Sequence, residues 1–139
     1  MALRLVIVTP YGQVYDGLVE SVVLPGSQGE FGVLEQHERF LSPLDCGAVR
    51  IRTGQGELYA AISPGFAEVG PESVTLMVES SEIASDIDTA RAEQARDRAR
   101  EGLAQLDSDA DLERYREYEA AMNRAENRLR VGQGGPGAS

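Results

Sequence analysis

Ile87-Asp88-Thr89-Ala90-Arg91-Ala92 is the stretch where this chain changes its structural language. Upstream, apolar residues come in short β-branched bursts cut by Gly and Pro, as in Val19-Glu20-Ser21-Val22-Val23-Leu24-Pro25-Gly26. Downstream, no β-branched residue occurs between Ala90 and Arg130, and Ala, Arg, Glu and Leu dominate. Strand-forming sequence therefore gives way to helix-forming sequence within one turn. Asp88 carries a side chain that accepts hydrogen bonds from the first free N–H groups of a helix, so the motif predicts a helix start.

Working upstream, residues 3–84 offer about ten short strands. They are separated by turn signals at Pro10-Tyr11-Gly12, Pro25-Gly26-Ser27, Thr53-Gly54-Gln55-Gly56, Ser63-Pro64-Gly65 and Gly70-Pro71-Glu72. Val49-Arg50-Ile51-Arg52 and Val74-Thr75-Leu76-Met77-Val78 alternate as half-buried antiparallel strands do. No helical stretch interrupts them, which predicts an antiparallel β-sandwich or flattened barrel. The opening Met1-Ala2-Leu3-Arg4-Leu5-Val6-Ile7-Val8 reads as a first strand, its apolar run being short for a secretory signal.

Downstream, the pattern predicts a helix from Asp88 to about Leu106, with Ala92, Ala95, Ala99 and Leu106 along one stripe. Asp107-Ser108-Asp109 breaks it, and Ser108 or Asp109 can cap a second helix. There Tyr115, Tyr118, Met122, Ala125 and Leu129 recur at helical spacing, a seam for one partner helix rather than a face for a wide core. The class is thus α+β. Residues 1–86 form the sandwich, 87–131 an antiparallel helical hairpin, and 132–139 a Gly-rich tail expected to be disordered. The hairpin has only narrow apolar stripes, which leaves it free to repack elsewhere.

Composition narrows the function. The 139 residues carry a net charge of −10, which argues against nucleic-acid binding. All thirteen basic residues are Arg, so P-loop chemistry and any other mechanism that needs Lys are excluded. Cys46 is the single cysteine, so no internal disulfide forms and an intracellular location is expected. No run of about 18 apolar residues is present to span a membrane. His37, the one histidine, has no metal-spaced partner and no nucleophile beside it. Gly26-Ser27-Gln28-Gly29-Glu30-Phe31-Gly32 looks like a phosphate-binding loop, but no Lys or helix follows and Glu30 would repel phosphate, so it reads as a turn between strands. No catalytic set emerges, and no metal is implied.

The helix arginines are a separate matter. Arg91 and Arg98 lie two turns apart on one helical face, about 10 Å, and Arg124 and Arg128 one turn apart on the next helix. A hairpin folded about Ser108 would bring Arg91 opposite Arg124, with Arg128 close to the start of the first helix. Facing cations call for an anion between them: Glu82 and Asp88 in part, or a bound polyanion held by forked hydrogen bonds. Spacing alone favours solvated Arg–Glu pairs.

Three ordered blocks carry a family resemblance. They are Gly17-Leu18-Val19-Glu20-Ser21-Val22 running on to Gly26–Gly32 and His37; Gly65-Phe66-Ala67-Glu68-Val69 with Val74-Thr75-Leu76; and Asp86-Ile87-Asp88-Thr89-Ala90-Arg91-Ala92. Together they resemble the epsilon subunit of the F-type ATP synthase, from Leu3 to about Val131. The resemblance implies a non-catalytic rotor-stalk subunit, peripheral on the cytoplasmic side of the bacterial cell membrane and with no direct insertion. Its sandwich would bind the gamma subunit and the c ring, with Gly29, Glu30 and His37 at the ring. Its hairpin would either fold against the sandwich or extend into the alpha/beta catalytic head and block ATP hydrolysis. Some bacterial members bind ATP on the folded hairpin as a regulatory ligand. The matching positions are Glu82, Asp88, Arg91, Arg98, Arg124 and Arg128. Inhibitory relatives tend to have a basic second helix, whereas residues 109–131 hold five Arg against six acids, which implies weak inhibition. A stand-alone soluble nucleotide sensor is the alternative reading.

Overall fold

The computed structural model describes residues 3–34, 38–107 and 109–133. Ten strands come first: β1 (Leu3–Thr9), β2 (Gly12–Val19), β3 (Ser21–Gly26), β4 (Gly29–Leu34), β5 (Phe40–Leu44), β6 (Gly47–Thr53), β7 (Gly56–Ile62), β8 (Gly65–Val69), β9 (Ser73–Val78) and β10 (Ser81–Ile83). A 3-10 turn at Ala84–Asp86 leads to α1 (Thr89–Ala104) and α2 (Leu112–Gly132). The strands follow the order β10-β7-β6-β3-β5-β8-β9-β1-β2, with β4 paired to β3 off this path. β3 is the corner of the sandwich. Its first half pairs with β6 through Ser21–Val23, and its last residue, Gly26, pairs with Leu44 of β5.

Period-two burial closes the core. Leu3, Leu5 and Ile7 of β1 are fully buried, as are Val22 and Leu24 of β3, Val49 and Ile51 of β6, and Val74 and Leu76 of β9. Burial of each such side chain stabilises the fold by about 1.5–3 kcal/mol. The connections obey the turn chemistry of the sequence. Gly12, Gly29 and Gly56 each adopt a positive φ, between 122° and 130°, where an L side chain is strained. Gly29 closes the two-residue connection between β3 and β4, so Gly26–Gly32 is a hairpin turn and not a ligand loop.

Two expectations need correction. The sheet is not wholly antiparallel, because β1 lies parallel to β9, with Leu5 beside Val74 and Ile7 beside Leu76. Segments distant in sequence meet there, and no local period announces such a pairing. The second helix begins at Leu112 with Asp111 at its N-cap position, not at Ser108 or Asp109. Asp107 Oδ1 accepts from the N–H groups of Asp109 (2.8 Å) and Ala110 (3.3 Å), a local turn that delays the helix. Ser108 and the tail beyond Gln133 lie outside the described residues.

Candidate functional site

Asp88 starts α1 as its sequence demands, its Oδ1 accepting from the Arg91 N–H at 3.1 Å. The helices then pair closely. A Cβ built at Gly102 would lie 2.5 Å from the Tyr118 ring, and one at Gly132 would lie 2.8 Å from Thr89 Cγ2. These approaches put Arg91 level with Leu129, and Arg124 level with Arg96. Arg91 is therefore not opposite Arg124. The delayed start of α2 shifts the register, although Arg128 does come beside the first turn of α1.

Helix α2 rests on β6, β7 and the 3-10 turn, and its Arg128 reaches the edge strand β10. A small apolar contact joins Ile87 and Val131 to Ala61, with Ala48, Tyr59 and Ala84 around it. Two polar contacts flank it. Asn127, 2% exposed, donates from Nδ2 to the Gly47 carbonyl at 2.8 Å. Arg128 forks onto the Glu82 carboxylate. Asn127 and Val131 form a second stripe on α2, facing the β domain, which the helix-pair seam does not include.

Between hairpin and sandwich lies a cleft of about 620 Å³, lined by Cys46, Ser63, Ser81, Glu82, Arg98, Tyr118, Arg124 and Arg128 among others. Four of the six residues singled out for nucleotide contact, Glu82, Arg98, Arg124 and Arg128, line this cleft. Asp88 and Arg91 do not; Asp88 is committed to capping α1. Glu82 holds Arg128, whereas Arg98 and Arg124 form no ion pair among the described residues. Sequence reasoning missed Ser81. Its Oγ is buried without a hydrogen-bond partner among the described residues; Ser81 borders the cleft, but strand alternation turns its side chain to the face opposite Glu82, a position no motif marks. Cys46 borders the same cleft, and burial pushes its thiol above the ordinary value against the opposing pull of Arg124 and Arg130.

The ring-contact residues lie elsewhere. Gly29 and Glu30 are exposed at the start of β4, Glu30 paired with Pro25 of β3. His37 lies outside the described residues. Among the described residues no three His, Cys, Asp or Glu side chains gather as metal ligands, and no helix is long and apolar enough to cross a membrane.

Two family models divide the chain between them. Residues 2–84 match the ATP synthase delta/epsilon chain beta-sandwich domain, and residues 85–133 match its long alpha-helix domain. The chain belongs to the ATP synthase delta/epsilon family. It is 43% identical over 129 residues to the ATP synthase epsilon chain of Syntrophobacter fumaroxidans, covering 93% of this chain and 94% of the relative. The epsilon chain of Alkalihalophilus pseudofirmus is 44% identical over 108 residues, 78% of this chain and 81% of its own. The fold also matches a chain of the Euglena gracilis mitochondrial ATP synthase, in an assembly of OSCP, F1 and c-ring. That match has a TM-score of 0.76 at 22% identity and covers 91% of this chain and 78% of the other. A chain from the central stalk and c-ring of the Tetrahymena thermophila mitochondrial enzyme matches with a TM-score of 0.60 at 14% identity, over 93% and 97%. The delta/epsilon family thus accounts for both halves of the fold, the sandwich and the hairpin.

Proposed function

We propose that this chain is a non-catalytic rotor-stalk subunit that couples gamma to the c ring, and that its hairpin restrains ATP hydrolysis when it leaves the sandwich. The observation that supports a movable hairpin is the independence of the β core. The buried residues of that core run from Leu3 to Val78 and include none from either helix. The hairpin is attached through small side chains and a few polar groups, so undocking exposes little apolar surface, and its polar groups regain water.

The surface we assign to gamma is on the other half of the strand order. Phe66 of β8 lies beside Pro43 of β5 and Met77 of β9, and Met77 beside Val8 of β1. Phe66 and Leu41 remain 51% and 63% exposed, an apolar face of the kind that protein partners cover. Glu30, on the β3–β4 turn, is assigned to the c ring. These contacts would place the chain on the cytoplasmic side of the bacterial cell membrane.

The cleft suits a regulatory polyanion such as ATP. It offers two arginines free of ion pairs among the described residues and a third held ready by Glu82. An occupant bridging β10 and both helices would stabilise the docked hairpin in proportion to its occupancy.

ATPase measurements on the whole complex, with and without residues 88–139, test the reading. Faster hydrolysis without the hairpin is expected, with gamma still co-purifying. An unchanged rate would remove the regulatory role, and loss of gamma would remove the division of labour between the two halves.

A further inference from the structure

We propose that Asn127 is the positioning residue that latches the hairpin to the sandwich, acting through the carbonyl of Gly47. The proposal rests on the reading of the hairpin as a movable element and names the contact that sets its position. Asn127 is the one polar side chain that α2 buries among the described residues, at 2% exposure. Its Nδ2 donates to the Gly47 carbonyl at 2.8 Å, and its Oδ1 accepts from Arg130 Nη2 at 3.3 Å.

The acceptor is itself fixed in place. Gly47 is buried, and a Cβ there would lie 2.7 Å from Pro25 Cβ, so β6 packs against β3 as only glycine allows. The carbonyl is thus held at the start of β6 before the hairpin arrives. A buried carbonyl left without a donor is destabilising, so the docked pose is favoured only when Asn127 arrives in register. The surrounding apolar contact of Ala48, Tyr59, Ala61, Ala84, Ile87 and Val131 is small and carries no directional bond of its own. Apolar contact supplies adhesion here, and the hydrogen bond supplies the address. When the hairpin leaves, both partners regain water, which keeps undocking reversible.

Cys46 is a built-in reporter of this contact. It is the only thiol, it is half-buried, and it adjoins Gly47 while sharing its cleft with Arg124 and Asn127 of α2. The test is the rate at which a maleimide labels Cys46 in the isolated full chain, read beside the thermal unfolding of the β domain by circular dichroism. Asn127→Ala is expected to raise the labelling rate roughly tenfold, the effect of orphaning one buried carbonyl, with the β-domain transition unmoved. Asn127→Leu keeps the approximate volume and adds no charge beside Cys46 but has no N–H for Gly47, so it is expected to label as fast as the Ala variant. Unchanged labelling in Asn127→Ala would overturn the latch. Slow labelling in Asn127→Leu would show that packing, not the Gly47 bond, sets the pose. A β-domain transition lowered in step with faster labelling would make Asn127 an ordinary structural residue. The ATPase assay reads the assembled complex and the thiol assay the isolated chain, so either reading can fail without the other.

Discussion

Arg128 on α2 forks onto Glu82 on β10, Nε to Oε1 at 2.5 Å and Nη2 to Oε2 at 3.1 Å, joining residues 46 positions apart in sequence. The side chains are 27% and 35% exposed, so the pair is neither a solvated surface bridge nor a fully desolvated one. Its two-pronged geometry raises its worth above a single point contact. Glu82→Gln is expected to loosen hairpin docking by about 1 kcal/mol, well short of the cost of a fully buried orphan charge. Hydrogen exchange at the α2 amides of Leu129 and Val131 measures it. Unaltered protection would mean that the apolar contact and Asn127 suffice.

Gly102 inverts a common rule. In an exposed helix interior, Gly→Ala stabilises by about 1 kcal/mol. Here the added Cβ would meet Tyr118 ring carbons at 2.5 and 2.7 Å, so the ring or the helix must shift. Gly102→Ala is therefore expected to part the helices and reduce hairpin protection, leaving β-domain unfolding unchanged. In a Tyr118→Ala background the same substitution is expected to become stabilising, and this double-mutant reversal is the check. Additive effects would mean that the ring does not set the approach.

Much of the fold was legible because its signals are local. The period-two bursts, the turn glycines Gly12, Gly29 and Gly56, and the Asp88 cap each follow from neighbours a few residues away. What escaped is long-range. The parallel β1–β9 pair joins Leu5 to Val74, and nothing in either strand marks its partner. Asn127 carries no sequence signal, because its partner is a backbone carbonyl, which leaves no trace in side-chain patterns. The arginine set was visible through spacing, but its register was not. The turn at Asp107 had to be seen before Arg91 could be moved away from Arg124.

Glu30 probes the β3–β4 turn. It is exposed beside Gly29, whose φ of 122° shapes the turn, and it has no ion-pair partner among the described residues. Reversing its charge breaks no ion pair among the described residues. Glu30→Arg is expected to weaken assembly with the c ring while leaving the melting temperature of the isolated subunit unchanged. Co-purification with the ring measures the first and calorimetry the second. An equal loss of stability would make Glu30 structural.

ATP binding is the sharpest test of the cleft. Three arginines, Arg98, Arg124 and Arg128, line it with a single carboxylate, Glu82, and that carboxylate is already engaged by Arg128. The unbalanced charge favours a ligand with several negative oxygens, and guanidinium forks suit phosphate geometry. ADP is expected to bind more weakly for want of the third phosphate. Calorimetric titration of the isolated chain is expected to give ATP-specific heat that falls sharply in Arg98→Ala and Arg124→Ala. Arg91→Ala is expected to lose less, because Arg91 does not line the cleft and stands level with Leu129. Bound ATP bridges the hairpin to β10, so it is also expected to slow the labelling of Cys46. No heat at millimolar ATP would leave these arginines as solvated charges. A dominant loss at Arg91 would mean that the nucleotide sits at the start of α1, against the register seen here.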